Sequence, residues 1–362
     1  MLFVVNETGG VMQIFTNRVM RPSPNEAAFT TSYTHGSDRL GLATVRRKKN
    51  EWNITAANAD VSDADAKSVL LPLFKQQQRP VLLYIHGNNN PPAKCFERCA
   101  KLETLYDVEV VGLSWPSEGY LPDGTRYPDV DPSEIDGDEE EMGQIDLNNR
   151  QLGTIRSKIY RYHQASLNGK HSADALARLL RMVGAARLDA NGQPYTVSAH
   201  SLGAQFLQYA LEIPGASESL ATAQNVALLA PCVRAVGHRD WLGKIRPKGQ
   251  LFVTFNKGDS VLAGASVADN GLTGDTQVKL GTDPTNELLH TSYARYINCT
   301  GANVGFGGHG YFVQNKMPKR MKNVFGRIFR SQRDVMFGEI ERKIYGLKGS
   351  EDGLIGYFNA EV

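Results

Sequence analysis

The sequence predicts an α/β protein with a mostly parallel central sheet and helices on both faces. Three observations lead to this prediction. Short continuous apolar runs, typical of strands that are buried on both faces, alternate with segments of helical periodicity. The connections between them are mostly short turns, as in strand–helix–strand units. Each unusual polar cluster follows a strand, at the carboxyl end where parallel sheets collect reactive groups.

The individual elements follow in chain order. The first fifty residues contain three short strand patterns, at 2–5, 12–16 and 40–45, which predict an N-terminal hairpin at the edge of the sheet. Strands of the central sheet are predicted at 81–85, 108–113, 195–199, 226–229, 251–255 and 293–299. Helices are predicted at 91–105, at 147–166, at 172–187 with Ser172 as its N-cap, and from residue 202 to about residue 211.

Composition indicates an ordinary globular protein, because 41% of the 362 residues are hydrophobic and 22% are charged. No apolar run reaches the roughly 18 residues that a membrane-spanning helix needs, and the first residues lack the features of a secretory signal. We therefore expect a cytoplasmic protein with a single domain over residues 1–362. The cysteines are expected to be buried or half-buried thiols, with zinc binding unlikely from their spacing: Cys95, Cys99, Cys232 and Cys299.

The net charge of +2 conceals two segments of opposite sign. Segment 117–145 is acidic and rich in glycine, and we predict either a lid or cap insertion beside the pocket or a solvated loop. The C-terminal region 315–345 is predicted to be helical and basic, and within it residues 316–333 carry seven basic and no acidic residues. This stretch could contact an anionic membrane weakly, or it could pack its apolar side on the sheet. Nucleic-acid binding is not expected, because the total charge is nearly balanced and no recognition motif is present.

Ser201 is the candidate nucleophile. It lies in Ala199-His200-Ser201-Leu202-Gly203, between a predicted strand and a predicted helix, which is the pattern of a nucleophile elbow with Ala in place of the first Gly. The turn is so sharp that the residues two before and two after the serine come close together, where only small side chains such as those of Ala199 and Gly203 fit. It places the serine oxygen at a helix N-terminus, where the helix dipole and backbone N–H groups favour negative charge.

A serine nucleophile requires a base and an acid that orients the base, in the chain order Ser, acid, His for this architecture. His309 follows the last predicted strand within a glycine-rich loop, which favours it over the other downstream histidines, His238 and His290. Asp259 directly follows the strand at 251–255 and is the favoured acid. The runner-up is Asp240, and the remaining candidates lie in a loop farther from any strand end: Asp269, Asp275 and Asp283.

The oxyanion hole needs two backbone N–H donors directed at one point. Leu202, directly after the serine, supplies one, and Asn88, in the loop after the strand at 81–85, is the candidate for the other. Four further residues are expected to line the pocket, with His86 as a structural hydrogen-bonding residue: His86, Gly87, Trp115 and His200. We expect neither a metal nor a cofactor.

Five motifs together resemble the α/β-hydrolase superfamily, over about residues 78–312: His86-Gly87-Asn88-Asn89-Asn90, Ser114-Trp115-Pro116-Ser117-Glu118-Gly119, Ala199-His200-Ser201-Leu202-Gly203-Ala204, Asn256-Lys257-Gly258-Asp259 and Gly308-His309-Gly310. The Trp-Pro-Ser segment narrows the resemblance to a little-characterised bacterial group of unknown function. The resemblance implies a Ser201–Asp259–His309 triad and hydrolysis of an ester or related acyl bond. The sequence departs from the pattern of this group at Pro231-Cys232, where relatives are expected to have Pro-Asp.

The leading hypothesis is therefore a carboxylesterase or lipase-like serine hydrolase that acts on a small-molecule acyl ester. Two alternatives stay open at this point. One is an acyltransferase or a phospholipase that acts at membranes, and the other is a non-catalytic binding protein built on the same scaffold. The sequence does not determine the oligomeric state.

Overall fold

The computed structural model describes residues 11–48, 51–76, 78–126, 152–273, 277–284, 287–302, 304–332 and 347–358. They form the mostly parallel sheet with covering helices that the sequence predicts. The strands are β1 (Val11–Thr16), β2 (Arg18–Met20), β3 (Phe29–Tyr33), β4 (Gly41–Lys48), β5 (Glu51–Asn58), β6 (Val81–Ile85), β7 (Glu109–Ser114), β8 (Tyr195–His200), β9 (Asn225–Leu229), β10 (Leu251–Phe255), β11 (Ala294–Asn298), β12 (Lys348–Gly349) and β13 (Ile355–Tyr357). The helices are α1 (Asp63–Lys75), α2 (Pro92–Tyr106), α3 (Leu152–His171), α4 (Ala173–Asp189), α5 (Leu202–Ala210), α6 (Ala216–Leu220), α7 (His238–Leu242), α8 (Ser260–Thr273) and α9 (Lys319–Phe329).

The central sheet has the strand order β12-β13-β11-β10-β9-β8-β6-β7-β1-β4-β5. Every residue of β6, β8, β9 and β10 is buried, which explains their continuous apolar character. Six adjacent strands of the sheet run parallel, in the order β11-β10-β9-β8-β6-β7. Their carboxyl ends therefore meet at one edge of the sheet. The loops that carry the candidate site residues all leave the sheet at this edge.

The N-terminal region differs from the predicted hairpin. Strand β1 pairs in parallel with β7 and antiparallel with β4, and the hairpin at the edge of the sheet is formed by β4 and β5. Strand β5 was not predicted, because most of its side chains are exposed and polar residues interrupt the apolar pattern. The predicted strand at 2–5 lies outside the described residues.

Helix α4 begins as predicted, but Ser172 does not cap it through its side chain. The Ser172 hydroxyl instead accepts a hydrogen bond from Asn17 Nδ2 at 2.6 Å, across 155 residues of chain. A tertiary contact therefore replaces the local cap. Helix α3 extends to His171, beyond the predicted end at 166.

The basic helix α9 packs its apolar side on the core. The side chains of Met321, Val324, Phe325, Ile328 and Phe329 are buried, and Thr196 of β8 donates a hydrogen bond to the Ile328 carbonyl at 2.9 Å. Its basic side chains lie on the opposite side, so this helix has the arrangement of a surface helix whose apolar stripe faces the sheet. Residues 333–345 of the predicted basic region lie outside the described residues.

Residues 117–126 of the acidic segment are held against the N-terminal strands and α3. The Pro122 carbonyl accepts a hydrogen bond from the Tyr33 N–H at 3.0 Å, and the Tyr120 carbonyl accepts one from Asn168 Nδ2 at 2.8 Å. A Cβ at Gly119 would lie 2.4 Å from the Arg161 carbonyl oxygen, so glycine serves close packing here. The rest of the predicted lid, 127–145, lies outside the described residues.

The four cysteines are free and buried, in agreement with the prediction. Among the described residues, no helix is both long enough and apolar enough to cross a membrane.

Candidate active site

Ser201 lies in a sharp turn between β8 and α5. Its backbone has φ 52° and ψ −123°, which is a strained conformation for a residue with a side chain. The Ser201 N–H donates to the Leu229 carbonyl at 2.9 Å, and the Ser201 carbonyl accepts from the Cys232 N–H at 3.0 Å. These two bonds to the end of β9 and the loop beyond it hold the strained turn in place.

Gly203 allows α5 to start directly against the end of β6. A Cβ at this position would lie 2.5 Å from the His86 carbonyl oxygen and 2.8 Å from the Ile85 carbonyl oxygen. No side chain fits such a gap without movement of backbone. The turn therefore brings the Leu202 N–H, the first candidate oxyanion donor, close to the loop that carries Asn88.

Asp259 and His309 form a buried pair at the same edge of the sheet. Asp259 follows β10, His309 lies in the loop after β11, and His309 Nδ1 donates to Asp259 Oδ2 at 2.7 Å. The other carboxylate oxygen, Oδ1, accepts from the Leu262 N–H at 2.9 Å and so caps α8. The carboxylate is thereby fixed at both oxygens, and the Nδ1 proton leaves Nε2 as the basic nitrogen of a neutral His309 ring.

Asn256 joins the loops that carry this pair. Its Nδ2 donates to the Gly308 carbonyl at 2.8 Å, and its Oδ1 accepts from the Gly258 N–H at 3.0 Å. The Asn256 carbonyl also accepts from the Asp259 N–H at 3.0 Å. The side chain is almost completely buried. Asn256 therefore sets the distance between the acid and histidine loops.

The competing candidates lie in other surroundings. His238 Nδ1 donates to the Ala235 carbonyl and His238 Nε2 accepts from the Tyr296 hydroxyl at 3.0 Å, so both ring nitrogens are used structurally. His290 and Asp240 are exposed. Asp269 pairs with Lys279 and Asp283 pairs with Lys257, whereas Asp275 lies outside the described residues. The contacts of these candidates are therefore with other residues, whereas Asp259 and His309 bond to each other.

His86 organises the loop that carries Asn88. Its Nδ1 donates to the Gly87 carbonyl at 2.9 Å, and its Nε2 accepts from the Trp115 N–H at 3.2 Å, so the ring is neutral. Burial lowers its pKa to about 3, which agrees with this neutral state. The Trp115 indole stacks on the His86 ring and donates from Nε1 to the His86 carbonyl at 2.9 Å. His86 and Trp115 thus support the oxyanion loop as a packed pair.

His200 lies beneath His309. The two ring centroids are 4.7 Å apart, and the His200 ring also packs on Phe312 at 4.9 Å. Burial, followed by the neighbouring His309, lowers the pKa of His200 well below its usual range. His200 directly precedes Ser201, so the His309 ring packs against the residue next to the candidate nucleophile.

Cys232 occupies the position where the resemblance led us to expect an aspartate. Its N–H holds the Ser201 carbonyl, and its thiol lies 3.4 Å from the Tyr162 hydroxyl, which also accepts from Lys279 Nζ at 3.1 Å. Burial raises the pKa of the Cys232 thiol, so this group is a structural thiol rather than a reactive thiolate.

The sequence predicts no role for Arg18 and shows Asn256 only as part of a motif, although both side chains support the site loops. Asn256 stands in a turn sequence, where an asparagine is usually a local turn former. Arg18 gives no local signal, because its partners Trp115 and Glu118 lie 97 and 100 residues away. Pairing of β1 with β7 is what brings Arg18 to the site.

The fold and the elbow with its neighbouring Asp–His pair define the class of α/β hydrolases. The chain belongs to the family described as alpha/beta hydrolase of unknown function (DUF900), whose model matches residues 61–317, more than half of the chain. Searches of curated proteins and of solved structures found no match. The family supports a hydrolase and leaves the bond and the substrate open.

Proposed function

We propose that this protein is a serine hydrolase that cleaves a small-molecule ester through an acyl-enzyme on Ser201. The observation that carries the proposal is the buried hydrogen bond from His309 Nδ1 to Asp259 Oδ2, at 2.7 Å, together with the strained elbow of Ser201, whose neighbour His200 packs against the His309 ring. In this tautomer the basic nitrogen of the imidazole is Nε2. A serine at the start of α5 offers the nucleophile that such a base serves.

In the proposed reaction, the Ser201 oxygen attacks the acyl carbon while His309 Nε2 takes the hydroxyl proton. The backbone N–H groups of Leu202 and Asn88 stabilise the negative charge on the carbonyl oxygen of the tetrahedral intermediate. The imidazolium then gives its proton to the leaving alcohol as the C–O bond breaks. Water, deprotonated by the same nitrogen, attacks the acyl-enzyme and releases the acid. Asp259 stays ionised throughout and stabilises the imidazolium.

A fluorophosphonate probe tests the proposal directly, because it phosphonylates only an activated serine. We expect labelling of the wild type and loss of labelling in Ser201→Ala. The matched control is Ser198→Ala, which removes the serine hydroxyl of β8, three residues before Ser201, and is expected to keep full labelling. Equal labelling of wild type and Ser201→Ala would refute the assignment of the nucleophile.

The base and the acid are tested by rates. His309→Gln and Asp259→Asn are expected to lower the labelling rate and the hydrolysis of p-nitrophenyl acetate by roughly 10³-fold or more, as in other serine triads. A near-normal rate in either variant would remove that residue from the proposed mechanism.

A further inference from the structure

We propose that Arg18 is a positioning residue for the oxyanion hole. Arg18 precedes the region matched by the family model, which begins at residue 61. The proposal therefore makes the N-terminal strands a functional part of the active site in this chain. It rests on the proposed serine-hydrolase function, because it concerns the oxyanion hole of that reaction.

The Arg18 guanidinium is completely buried between the N-terminal strands and the loop after β7. Its Nη2 donates to the Trp115 carbonyl at 2.6 Å and forms an ion pair with Glu118 Oε2 at 2.5 Å. Its Nη1 donates to the Thr30 carbonyl at 3.3 Å. The guanidinium thus joins β3 to both Trp115 and Glu118.

The backbone directs this side chain towards the loop. The Arg18 N–H donates to Thr16 Oγ1 at 3.1 Å, and the Thr16 hydroxyl donates to the Ser114 carbonyl at 2.6 Å. Thr16 and Ser114 are also partners in the β1–β7 pairing. Arg18 therefore leaves the sheet at the carboxyl end of β7, next to Trp115.

The loop that Arg18 holds is in turn bonded to the loop that carries Asn88. The Ser117 carbonyl accepts from the Asn89 N–H at 2.9 Å, and Ser117 Oγ accepts from the Asn90 N–H at 3.0 Å. Asn90 Nδ2 donates to the Asn88 carbonyl at 2.6 Å. The contacts between Trp115 and His86 provide a second connection.

Each connection ends at the peptide groups around Asn88, whose N–H is the proposed second oxyanion donor. Oxyanion stabilisation depends on donors that are already in position before the reaction, and displacement by about 1 Å can cost up to 10²-fold in rate. A buried ion pair adds little net stability, so stability alone is a weak reason to bury Arg18. The hydrogen bond from Arg18 to the Trp115 carbonyl instead links Arg18 to the position of the loop that carries Asn88.

The test uses the full chain and three variants. Arg18→Lys keeps the charge but loses the two-pronged geometry, and Arg18→Met/Glu118→Gln removes the contact without leaving a buried unpaired carboxylate. The matched control is Arg178→Met, because Arg178 likewise bonds a carboxylate and backbone carbonyls of the N-terminal region, at Asp63, Val61 and Asp38, without contacting the site loops. Active sites are titrated with a fluorophosphonate, and rates of p-nitrophenyl acetate hydrolysis are expressed per titrated site.

We expect both Arg18 variants to lower kcat per active site by about 10-fold, somewhat less than loss of a whole oxyanion donor. KM should change by less than about 2-fold and the pH–rate profile should stay in place, because the contacts of the Asp259–His309 pair are unchanged. A trifluoromethyl ketone, which forms a charged tetrahedral adduct, should bind more weakly by a similar factor. Arg178→Met should match the wild type.

A normal kcat per titrated site in the Arg18 variants, with only a smaller titratable fraction, would overturn the inference and leave Arg18 a purely structural role. Absence of Ser201-dependent labelling in the wild type would instead overturn the proposed function and this inference with it. The two failures are therefore distinguishable in one series of measurements.

Discussion

Glu103 offers a prediction about stability that the structure makes quantitative. It lies on α2, is only 7% exposed, and its Oε1 accepts from the Val110 N–H at 3.2 Å. Burial is the main cause that raises its pKa from 4.5 to about 8, and nearby Glu109 adds to the effect. In the unfolded chain the carboxyl group ionises near its ordinary pKa, whereas in the folded protein it keeps its proton up to about pH 8.

Between these two pKa values the folded state binds one more proton than the unfolded state, so stability falls as pH rises. The slope is about 1.4 kcal/mol per pH unit, and the loss stops above the folded pKa. From pH 5 to pH 8 this one group is expected to cost on the order of 4 kcal/mol. Glu103→Gln removes the titration and keeps an acceptor for the Val110 N–H, so it should stabilise the protein near neutral pH.

The assay is urea unfolding of wild type and Glu103→Gln, followed by circular dichroism at pH 5, 6, 7 and 8. The stability advantage of the variant should grow with pH at close to the slope given above. Glu97→Gln is the control on the same helix, because Glu97 is exposed and forms a surface ion pair with Lys101 at 3.4 Å. Its effect should stay within about 0.5 kcal/mol at every pH. A constant difference between wild type and Glu103→Gln from pH 5 to pH 8 would show that the buried carboxyl group is already ionised.

Three further substitutions test the packing around the site. Gly203→Ala should lower the fluorophosphonate labelling rate about 10-fold and the free energy of unfolding by about 1–3 kcal/mol, because the new Cβ must displace the His86 carbonyl. An unchanged labelling rate would contradict this close approach. Asn256→Ala should destabilise by about 2–4 kcal/mol and shift the pH–rate profile, since the buried Gly308 carbonyl and the partly buried Gly258 N–H lose their partner and the histidine loop is released. Loss of stability with an unshifted profile would limit Asn256 to a structural role. Phe325→Ala should destabilise by about 3–5 kcal/mol in thermal melts if α9 packs as described, whereas Lys322→Ala on its exposed side should be neutral.

The elements that the sequence predicted well are those whose signal is local. A fully buried strand such as β6 has an unbroken apolar sequence, and the elbow around Ser201 occupies five adjacent residues with small residues at both ends. Chain order and the rule that reactive groups follow strands point to Asp259 and His309, and the structure places the two in contact. Their catalytic roles remain predictions.

The features that were missed depend on distant partners. Ser172 is the N-cap residue of α4 as predicted, but its side chain does not cap the helix. Its hydroxyl instead accepts a hydrogen bond from Asn17, 155 residues away. In the sequence Arg18 has no feature that distinguishes it from other basic residues, because its contacts arise only from the pairing of β1 with β7. Strand β5 escaped prediction for a different reason: an edge strand with few buried side chains has no reason to show an apolar pattern.

The matched family region, 61–317, includes only the central strands of the sheet, and strands on both sides of it along the chain belong to the same sheet. Strand β1 covers the open hydrogen-bonding side of β7, and β13 covers that of β11. A fragment trimmed to the matched residues would expose two rows of unpaired backbone groups that can recruit strands from other chains. Proteolytic loss of β1 or β13 is thus expected to favour aggregation, so both strands also protect the edges of the parallel sheet against pairing with other chains.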